Sequence, residues 1–292
     1  MTNITIDQER CSGCARCIEV CPSVQYAVRE KKAQARDDAT RGCILCGQCI
    51  AACPEDAIAI PELAAISFEP LAEQGDALAG LEALFGARRS VRAYKKEDVP
   101  RELVERALAL GAMAPVSLPP WTVEVTVVLG REKIRPLADI IAGAMDEMLG
   151  MEKSFFGRFF MRRALGAPRY SCMKSVFFPL VEGGLALRQR EGLDVILRDA
   201  PGLAVFHSRP EALEPATDCV LAAAHTALAM QALGLGVCFN GLVTGASEMN
   251  KKLHAALGIP EPHGVHAALT FGLPRVRYRK SIRRRFAAVA FR

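Results

Sequence analysis

The feature that most constrains this chain is a pattern of four cysteines and a proline that occurs twice near the amino end. The first copy, CSGCARCIEVCP, runs from Cys11 to Pro22, and the second, CILCGQCIAACP, runs from Cys43 to Pro54, 32 residues later. Each copy reads C-x2-C-x2-C-x3-C-P, a spacing typical of iron–sulfur ligation. Structural zinc sites use two separated cysteine pairs for each metal and require neither a third cysteine nor a terminal proline. The repeat therefore predicts two [4Fe-4S] sites.

The repeated block resembles a bacterial-type two-cluster ferredoxin over residues 1–62. In such ferredoxins the fourth cysteine of each copy ligates the other cluster. The resemblance thus implies one ligand set of Cys11, Cys14, Cys17 and Cys53, and a second set of Cys43, Cys46, Cys49 and Cys21. Short strands at Ile4 and Ile6 and at residues 57–60 are expected to pair the two halves. The polar stretch between the copies is interpreted as a surface excursion.

Composition indicates a globular protein, with 51% apolar and 24% charged residues. The sequence has no charged start followed by an apolar segment, and no window approaches the roughly 18 uninterrupted apolar residues that a membrane span needs. Eight of the eleven cysteines lie in the first 53 residues, and in a reducing compartment such density favours metal over disulfides. We therefore expect a cytoplasmic protein with no membrane partner.

Four later segments carry the remaining chemistry. They are ARRSVRAYKKEDVP at 87–100, APVSLPPW at 114–121 before an alternating strand, ALAMQALGLGVCFNG at 227–241, and RVRYRKSIRRRF at 275–286. Clustered guanidinium groups beside a hydroxyl suit a terminal phosphate. The third segment predicts a buried helix that leads into a glycine turn and a short strand. Residues 61–80 are typical of a connector, and Asp76 is the predicted N-cap of a helix ending near Ala87.

In this order and at these distances, the segments resemble the nitroreductase family of FMN-dependent oxidoreductases over roughly residues 82–292. The whole chain is similar to the ferredoxin–nitroreductase fusion subgroup. The resemblance implies an α+β protein: a small ferredoxin-type β/α domain at 1–62, a linker at 63–80, and a three-layer α/β/α FMN domain at 81–292. Within the latter, residues 144–190 correspond to a cap over the substrate.

The resemblance also implies the residues that bind FMN. The phosphate and pyrimidine edge would be held by Arg88, Arg89, Ser90, Arg92 and Arg284, with Arg283 or Arg285 in place of the last if the register shifts by one. Backbone N–H groups near flavin N5 correspond to Asn240 and Gly241. APVSLPPW is two residues shorter than the family's loop and lacks its asparagine and glutamine, but Pro115, Val116 and Ser117 are expected near the ring. No catalytic side chain is expected, because the hydride leaves from FMN N5.

The function implied is an oxidoreductase that takes single electrons through two [4Fe-4S] clusters into FMN and reduces a nitroaromatic, a quinone or an activated alkene. A homodimer is implied as well. The electron donor is expected to be a ferredoxin, a flavodoxin or an NAD(P)H-linked partner. The alternative is a non-enzymatic electron carrier or redox sensor that docks a protein. A further alternative is that the shortened loop has abolished flavin binding. Nucleic acid is not an expected partner, because the FMN phosphate accounts for part of the basic charge and the tail ends in FAAVAF, a predicted strand.

Several other residues receive structural interpretations. The aromatic segment 145–178 is interpreted as the cap, whose stacking pocket would contain Phe155, Phe156, Phe159, Phe160 and Tyr170; a membrane or partner surface is the alternative. The three isolated cysteines are expected to be buried hydrophobes, namely Cys172, Cys219 and Cys238. His225 is interpreted as a core histidine, and His263 and His266 as parts of a turn. GLGVCFNG lacks the spacing of a dinucleotide-binding motif.

Overall fold

The structure is a computed structural model that describes residues 3–36, 42–71, 75–282 and 284–292. The chain divides into two compact units. The first extends to Gly75 and includes Leu118–Pro120, whereas the second begins at Asp76 and contains the rest of the chain. The predicted linker at 63–80 spans this division, and the predicted domain bounds stay a prediction.

The first unit is built from short elements around the two cysteine repeats. Its described part comprises β1 (Thr5–Ile6), α1 (Arg16–Val20), β2 (Tyr26–Arg29), β3 (Lys32–Ala35), α2 (Gln48–Ala51), β4 (Ile58–Ala59) and a 3-10 turn at Pro61–Leu63. Strands β1 and β4 pair antiparallel, with Thr5 opposite Ala59. This pairing joins the two halves of the repeat, as the apolar residues that flank it predicted.

The stretch between the repeats is not simply a surface excursion, because β2 and β3 form an antiparallel hairpin. Tyr26 and Ala33 are buried in the core of the first unit. The hairpin turns at Glu30 and Lys31, which both have positive φ, at 50° and 63°. Such values match the right-handed twist of paired strands. The mostly polar composition of this stretch did not indicate that Tyr26 and Ala33 would be buried.

The second unit contains nine helices, four strands and one π-helical turn within its described residues. They are α3 (Ala77–Ala87), α4 (Arg101–Gly111), β5 (Val123–Leu129), α5 (Arg131–Lys153), α6 (Phe155–Leu165), α7 (Ala167–Cys172), the π-helical turn Met173–Phe177, α8 (Phe178–Glu191), β6 (Gly202–Ser208), α9 (Pro215–Ala232), β7 (Gly236–Phe239), α10 (Gly241–Met249), α11 (Lys251–Leu257) and β8 (Gly264–Gly272).

The four strands of the second unit form one antiparallel sheet in the order β5-β6-β8-β7. Alternate residues of β6 face opposite sides. Leu203 and Val205 pack with α5, α8, α10 and α11, whereas Ala204 and Phe206 pack with α4 and α9. The unit therefore has helical layers on both faces of the sheet, which confirms the predicted three-layer α/β/α arrangement.

Local signals in the sequence were reliable where the interaction joins residues close together along the chain. Asp76 caps α3 by accepting a hydrogen bond from the Ala79 N–H at 3.0 Å. The predicted terminal strand is wrong, because residues 286–291 are irregular and exposed. A strand requires a neighbour for its hydrogen bonds, and this segment has none in the described part of the chain. No helix among the described residues is long and apolar enough to cross a membrane.

Candidate cofactor sites

The two cysteine repeats have matching backbone conformations at positions 32 residues apart. Gly13 and Leu45 have φ values of 74° and 57°, and Ala15 and Gly47 have values of 61° and 71°. A side chain at Gly13 would overlap the Lys31 carbonyl oxygen. Left-handed residues in such loops help neighbouring N–H groups converge on one point, which favours an anionic ligand. The two repeats therefore have equivalent loop conformations.

Each of two small cavities is bordered by four cysteines, three from one repeat and one from the other. The first contains Cys11, Cys14, Cys17 and Cys53. The second contains Cys43, Cys46, Cys49 and Cys21. The open volumes are similar, at about 330 and 310 Å³. The fold therefore brings together the same two sets that the resemblance implied, and their ligation of iron stays a prediction.

The thiols of these cavities are arranged to bind a cation. Cys14 and Cys46, at equivalent positions, are exposed. Burial raises the pKa of the Cys17, Cys43 and Cys49 thiols. A thiol with a raised pKa ionises when a metal ion compensates the thiolate charge. The donor set therefore fits iron–sulfur ligation.

Backbone N–H groups hold the sulfur that each repeat contributes to the other cavity. The Gln25 N–H lies 3.4 Å from Cys21 Sγ, and the Ala57 N–H lies 3.3 Å from Cys53 Sγ. Both contacts follow a residue with positive φ, Val24 in the first repeat and position 56 in the second. Hydrogen bonds to ligand sulfurs stabilise the thiolate and influence the potential of a cluster.

One pair of equivalent positions makes the two cavities chemically different. Tyr26 borders the cavity that contains Cys49, whereas Ile58, 32 residues later, borders the other. The Tyr26 hydroxyl is buried and faces the Cys49 sulfur, with no oxygen or nitrogen acceptor among the described residues. Burial and the neighbouring Cys49 thiol raise the pKa of Tyr26, so the hydroxyl stays protonated. A buried O–H donor beside the Cys49 sulfur suits a sulfur acceptor in this cavity, either the ligand thiolate or a cluster sulfur.

Two basic segments of the second unit are brought together by backbone pairing. The Lys95 N–H donates to the Leu273 carbonyl at 2.8 Å, and the Arg275 N–H donates to the Ala93 carbonyl at 3.0 Å. Val91, just before this pairing, donates its N–H to the β7 carbonyl of residue 237 at 3.0 Å. Residues 88–92 and 275–280 therefore lie side by side at one end of β7.

These segments border a groove with an open volume of about 970 Å³. We call it the basic groove. Its charged residues are all cationic: Arg89, Arg277, Arg279 and Lys280. Like charges this close repel one another unless an anion lies between them. The groove therefore suits a phosphate.

Arg89 is the buried cation of the basic groove. Its Nη1 donates to the Gly86 carbonyl at 3.2 Å and also to that of Arg88, and its Nη2 donates to the Lys280 carbonyl. Its Nε is buried and has no partner within the described residues. Arg89 therefore anchors the carboxy-terminal segment and keeps one donor for a ligand, so the groove fits the phosphate of FMN.

The other predicted phosphate ligands lie at or beyond the edge of this groove. Arg88 and Arg92 are exposed, and Arg92 Nη1 donates to the Ser90 carbonyl at 3.4 Å. Arg284 is exposed and does not border the groove. Arg283 lies outside the described residues. The cations at 277–280 belong to the basic segment 275–286 but were not among the predicted FMN ligands; they border the groove in the segment that follows β8, which ends at Gly272.

The two residues predicted near flavin N5 have different capacities to donate. The Asn240 N–H already donates to the Ala268 carbonyl at 2.9 Å. The Asn240 side chain caps α10 by accepting from the Leu242 N–H at 3.1 Å. Gly241 begins α10, where the first N–H groups have no acceptor within the helix. Gly241 is therefore the better donor to a ligand.

Gly241 borders a larger cavity, which we call the methionine-lined cavity. Its open volume is about 1540 Å³. Its methionines come from α5, α6, the π-helical turn and α10: Met145, Met148, Met151, Met161, Met173 and Met249. Methionine side chains adapt to apolar ligands of different shapes. Thr244, Arg169 and Glu248 supply polar groups at its border.

The predicted aromatic stacking pocket is wrong. The four phenylalanines of α6 point outward, each at least 60% exposed: Phe155, Phe156, Phe159 and Phe160. Tyr170 is buried, but its hydroxyl donates to Glu152 Oε2 at 2.7 Å. The helix has two apolar stripes, and periodicity alone does not distinguish the inner one, which carries Met161. Phe177 is the aromatic residue that borders the cavity.

The shortened loop is fastened to the start of α9. Ser117 donates its N–H to Asp218 Oδ1 at 2.8 Å and its hydroxyl to Asp218 Oδ2 at 2.6 Å. The same hydroxyl accepts from the Glu214 N–H at 3.1 Å. Pro115 and Val116 are exposed. Ser117 therefore has a structural role here, and contact of this loop with FMN stays a prediction.

The isolated cysteines and His225 only partly follow the predictions. Cys219 and Cys238 are buried, as predicted, whereas Cys172 is exposed and borders the methionine-lined cavity. His225 is exposed, and its Nδ1 lies 2.9 Å from the Leu221 carbonyl one turn earlier. Its interpretation as a core histidine is wrong, because helix α9 is not buried all round.

Residues 3–54 match the 4Fe-4S dicluster domain, and residues 86–273 match the Nitroreductase family. A dicluster domain followed by an antiparallel sheet between two helical layers defines the class, an α+β redox protein. Because the second match covers more than half of the sequence, the chain belongs to the nitroreductase family.

Solved structures show the same fold. A nitroreductase with bound FMN from Bacteroides fragilis has a TM-score of 0.54 and 21% identity, covering 75% of this chain and 100% of its own. A nitroreductase with bound FMN from Desulfitobacterium hafniense has a TM-score of 0.52 and 16% identity, covering 72% of this chain and 97% of its own. Among curated proteins, none matches this chain in sequence.

The matches confirm the predicted family, fold class and general activity, an oxidoreductase with an iron–sulfur domain. The predicted cofactors, FMN and two [4Fe-4S] clusters, agree with a dicluster domain and with the FMN in both solved structures.

Proposed function

We propose that this protein is an iron–sulfur flavoprotein oxidoreductase that relays single electrons through two [4Fe-4S] clusters to FMN and reduces a small organic acceptor. The observation that carries the proposal is the pair of cavities, each bordered by four cysteines from both repeats. This arrangement suits two cubane clusters, because each requires four thiolates around one small volume.

The eight cysteines are the proposed iron ligands. One cluster takes Cys11, Cys14, Cys17 and Cys53, and the other takes Cys43, Cys46, Cys49 and Cys21. The Gln25 and Ala57 N–H groups stabilise the two exchanged sulfurs as thiolates. Their equivalence by the 32-residue repeat supports one ligation pattern for both clusters.

FMN, when bound, accepts electrons one at a time and passes them on in pairs. The proposed phosphate site is the basic groove, where the partnerless Nε of Arg89 is a buried donor. The rest of the predicted set lies around this groove or on the exposed tail: Arg88, Ser90, Arg92 and Arg284. Gly241, at the other end of β7, offers its N–H to the flavin ring.

The proposed acceptor site is the methionine-lined cavity. Its lining is mainly apolar, and Gly241 belongs to its border. A nitroaromatic, a quinone or an activated alkene is compatible with such walls, and the flexible methionines favour tolerance of shape over selectivity. No side chain is assigned a nucleophilic role.

A homodimer is proposed from the exposed apolar surface of the second unit. On α3, Leu78 and Phe85 are 68% and 53% exposed, and on the tail Phe286 and Phe291 are 86% and 95% exposed. Such apolar surface favours association with a second copy. A ferredoxin or flavodoxin is the proposed donor class. Light scattering of the anaerobic protein at several concentrations tests the dimer, and a monomer at all of them would refute it.

Anaerobic purification with iron, sulfide and flavin quantification tests the cofactors. We expect about eight iron and eight sulfide atoms and one FMN for each chain, because two cubanes and one flavin are proposed. The reduced protein is then mixed anaerobically with a nitroaromatic, a quinone and an activated alkene. Reoxidation that saturates with acceptor concentration supports the enzyme. Reoxidation only by a partner protein would instead establish the electron carrier or redox sensor.

The phosphate site is tested by Arg89→Gln, with Arg101→Gln as the matched control on an exposed ion pair with Glu105. We expect Arg89→Gln to lower affinity for FMN more than affinity for riboflavin, because riboflavin lacks the phosphate. Isothermal titration of the flavin-free protein gives both constants. An equal loss for both flavins would show that Arg89 acts only through folding, and absence of flavin binding in the unaltered chain would show that the shortened loop has abolished it.

A further inference from the structure

We propose that Glu124, His207 and His263 form a binding site for one divalent transition-metal ion, with zinc as the matching ion. The three residues lie in the second unit, away from the cysteine repeats in sequence. Glu124 on β5 and His207 on β6 are directly opposite each other in the antiparallel ladder. His263 lies immediately before β8, which pairs with the other side of β6.

The donor atoms of these side chains converge. His207 Nδ1 and His263 Nδ1 are 3.0 Å apart, and His263 Nδ1 is 4.0 Å from Glu124 Oε2. One donor atom from each residue lies within 4.8 Å of the other two. A tetrahedral zinc ion with ligand bonds of about 2.0–2.1 Å places its ligand atoms about 3.4 Å apart. The observed separations lie on both sides of that value, so small side-chain rotations would complete the site.

Neighbouring groups hold two of the donors in a binding orientation. His207 Nε2 is 3.1 Å from Thr126 Oγ1. With Nε2 as the donor to Thr126, His207 Nδ1 carries the lone pair that a metal requires. Arg209 Nε lies 3.5 Å from Glu124 Oε1, the oxygen that does not face His263. Such partners orient the ligands in protein metal sites.

Burial and ligand type favour zinc. His207 and His263 are 2% and 8% exposed, whereas Glu124 is partly exposed and leaves a path for an ion. Two imidazoles and one carboxylate suit zinc and leave a fourth position for water. The rival arrangement is a direct hydrogen bond between the two imidazoles, which needs no metal. The prediction that His263 and His266 belong to a turn fits His263, which lies just before β8, and is wrong for His266, which lies within β8. The partners of His263 are distant along the chain.

A metal at this position would connect β5, an edge strand, to β6 and to the turn before β8. An ion that binds only the folded protein stabilises it. Its proposed role is therefore structural, at one end of the sheet that supports both FMN-binding segments.

The test uses the full chain, purified anaerobically with its iron content measured, so that zinc is not bound by empty cysteine sites. The protein is equilibrated with a small molar excess of zinc chloride, unbound metal is removed by gel filtration, and bound zinc is measured by mass spectrometry. We expect one zinc for each unaltered chain, and a rise of about 5–10 °C in the melting temperature of the second unit at 100-fold excess over the dissociation constant.

The variants are His263→Gln and Glu124→Gln. The matched control is His266→Gln, because His266 lies on β8 and is not one of the three proposed ligands. We expect both ligand variants to lower zinc affinity at least about tenfold, and the control to retain it. Glu124→Gln alters a partly exposed side chain, so it tests the site even where His263→Gln fails to fold. Zinc bound equally by Glu124→Gln, or no zinc on the unaltered chain, would overturn the proposal.

Discussion

Replacement of Tyr26 by phenylalanine should change the reduction potential of one cluster and not the other. Tyr26 borders only the cavity containing Cys21, Cys43, Cys46 and Cys49. Its equivalent in the other half of the repeat is Ile58, which has no donor. Tyr26→Phe removes the hydroxyl and retains the ring, so the change isolates one donor in one cavity.

The magnitude follows from the position of the hydroxyl, which is buried beside the Cys49 sulfur and so can donate to the ligand thiolate or to a cluster sulfur. A hydrogen bond to a charged acceptor contributes about 1.5–3 kcal/mol, and the bond strengthens as a cluster gains one negative charge on reduction. If about 1 kcal/mol of that energy distinguishes the two oxidation states, the potential changes by about 40 mV, since 59 mV corresponds to a tenfold change for one electron. Loss of the donor disfavours the reduced state. We therefore expect the potential to fall by about 40 mV. Folding stability should change little, because the ring is retained and the only acceptor that loses its donor is a sulfur, which accepts hydrogen bonds weakly.

The assay is an anaerobic redox titration of the full chain followed by electron paramagnetic resonance. Tyr278→Phe, at an exposed tyrosine of the second unit, is the matched control and should leave both potentials unchanged. A fall confined to one of the two clusters supports the assignment. Equal shifts in both clusters, an increase, or no shift beyond about 10 mV would refute the view that the Tyr26 hydroxyl donates to a cluster.

Three further predictions concern the second unit. Ser117→Ala should destabilise it by about 1.5–3 kcal/mol in urea unfolding, because the buried Asp218 carboxylate loses a hydroxyl donor at 2.6 Å; an unchanged midpoint would contradict this anchoring. Burial raises the pKa of Cys219 to about 12, so anaerobic iodoacetamide labelling at pH 8 should modify exposed Cys172 and leave Cys219 unmodified; the reverse order would refute it. Burial lowers the pKa of His266 in the folded state, so the folded state binds fewer protons there than the unfolded state. The stability present above about pH 6.5 is therefore lost as the pH falls through the folded pKa. His266→Gln should flatten that acid limb in thermal melts at different pH values, and an identical limb in both proteins would count against the assignment.

The spacing of the cysteines predicted which of them would meet because the repeat specifies local backbone conformation twice. Gly13 and Gly47 permit left-handed turns, and Leu45 and Ala15 adopt the same turns at the equivalent positions. With both loops alike, pairing of β1 with β4 suffices to bring the two halves together. Tyr26 escaped prediction because its burial depends on the hairpin that places Ala33 against the same core.

Sequence patterns did not predict the features that depend on contacts between residues far apart in the chain. The phenylalanines of α6 and five of the six methionines of the cavity lie in the segment 145–178, and the packing of α6 against α5 and α7 decides which side of α6 faces inward. The sequence did not indicate the cluster of Glu124, His207 and His263. The cross-strand register brings Glu124 and His207 together, and the turn before β8 adds His263. The cations at 277–280 lie outside the motif that identified Arg89, although they share its groove.

The basic groove shows why local and distant contacts must be combined to interpret a cofactor site. Segments 88–92 and 275–280 each have a positive charge that solvent would accommodate if they were apart. Backbone pairing through Lys95 and Arg275 fixes them side by side, and burial of Arg89 prevents water from satisfying its Nε. The fold thus maintains an electrostatic repulsion and a partnerless donor in the same place. A phosphate bound in this groove would offset the repulsion and accept from the buried donor, which is the physical basis of the proposed FMN phosphate site.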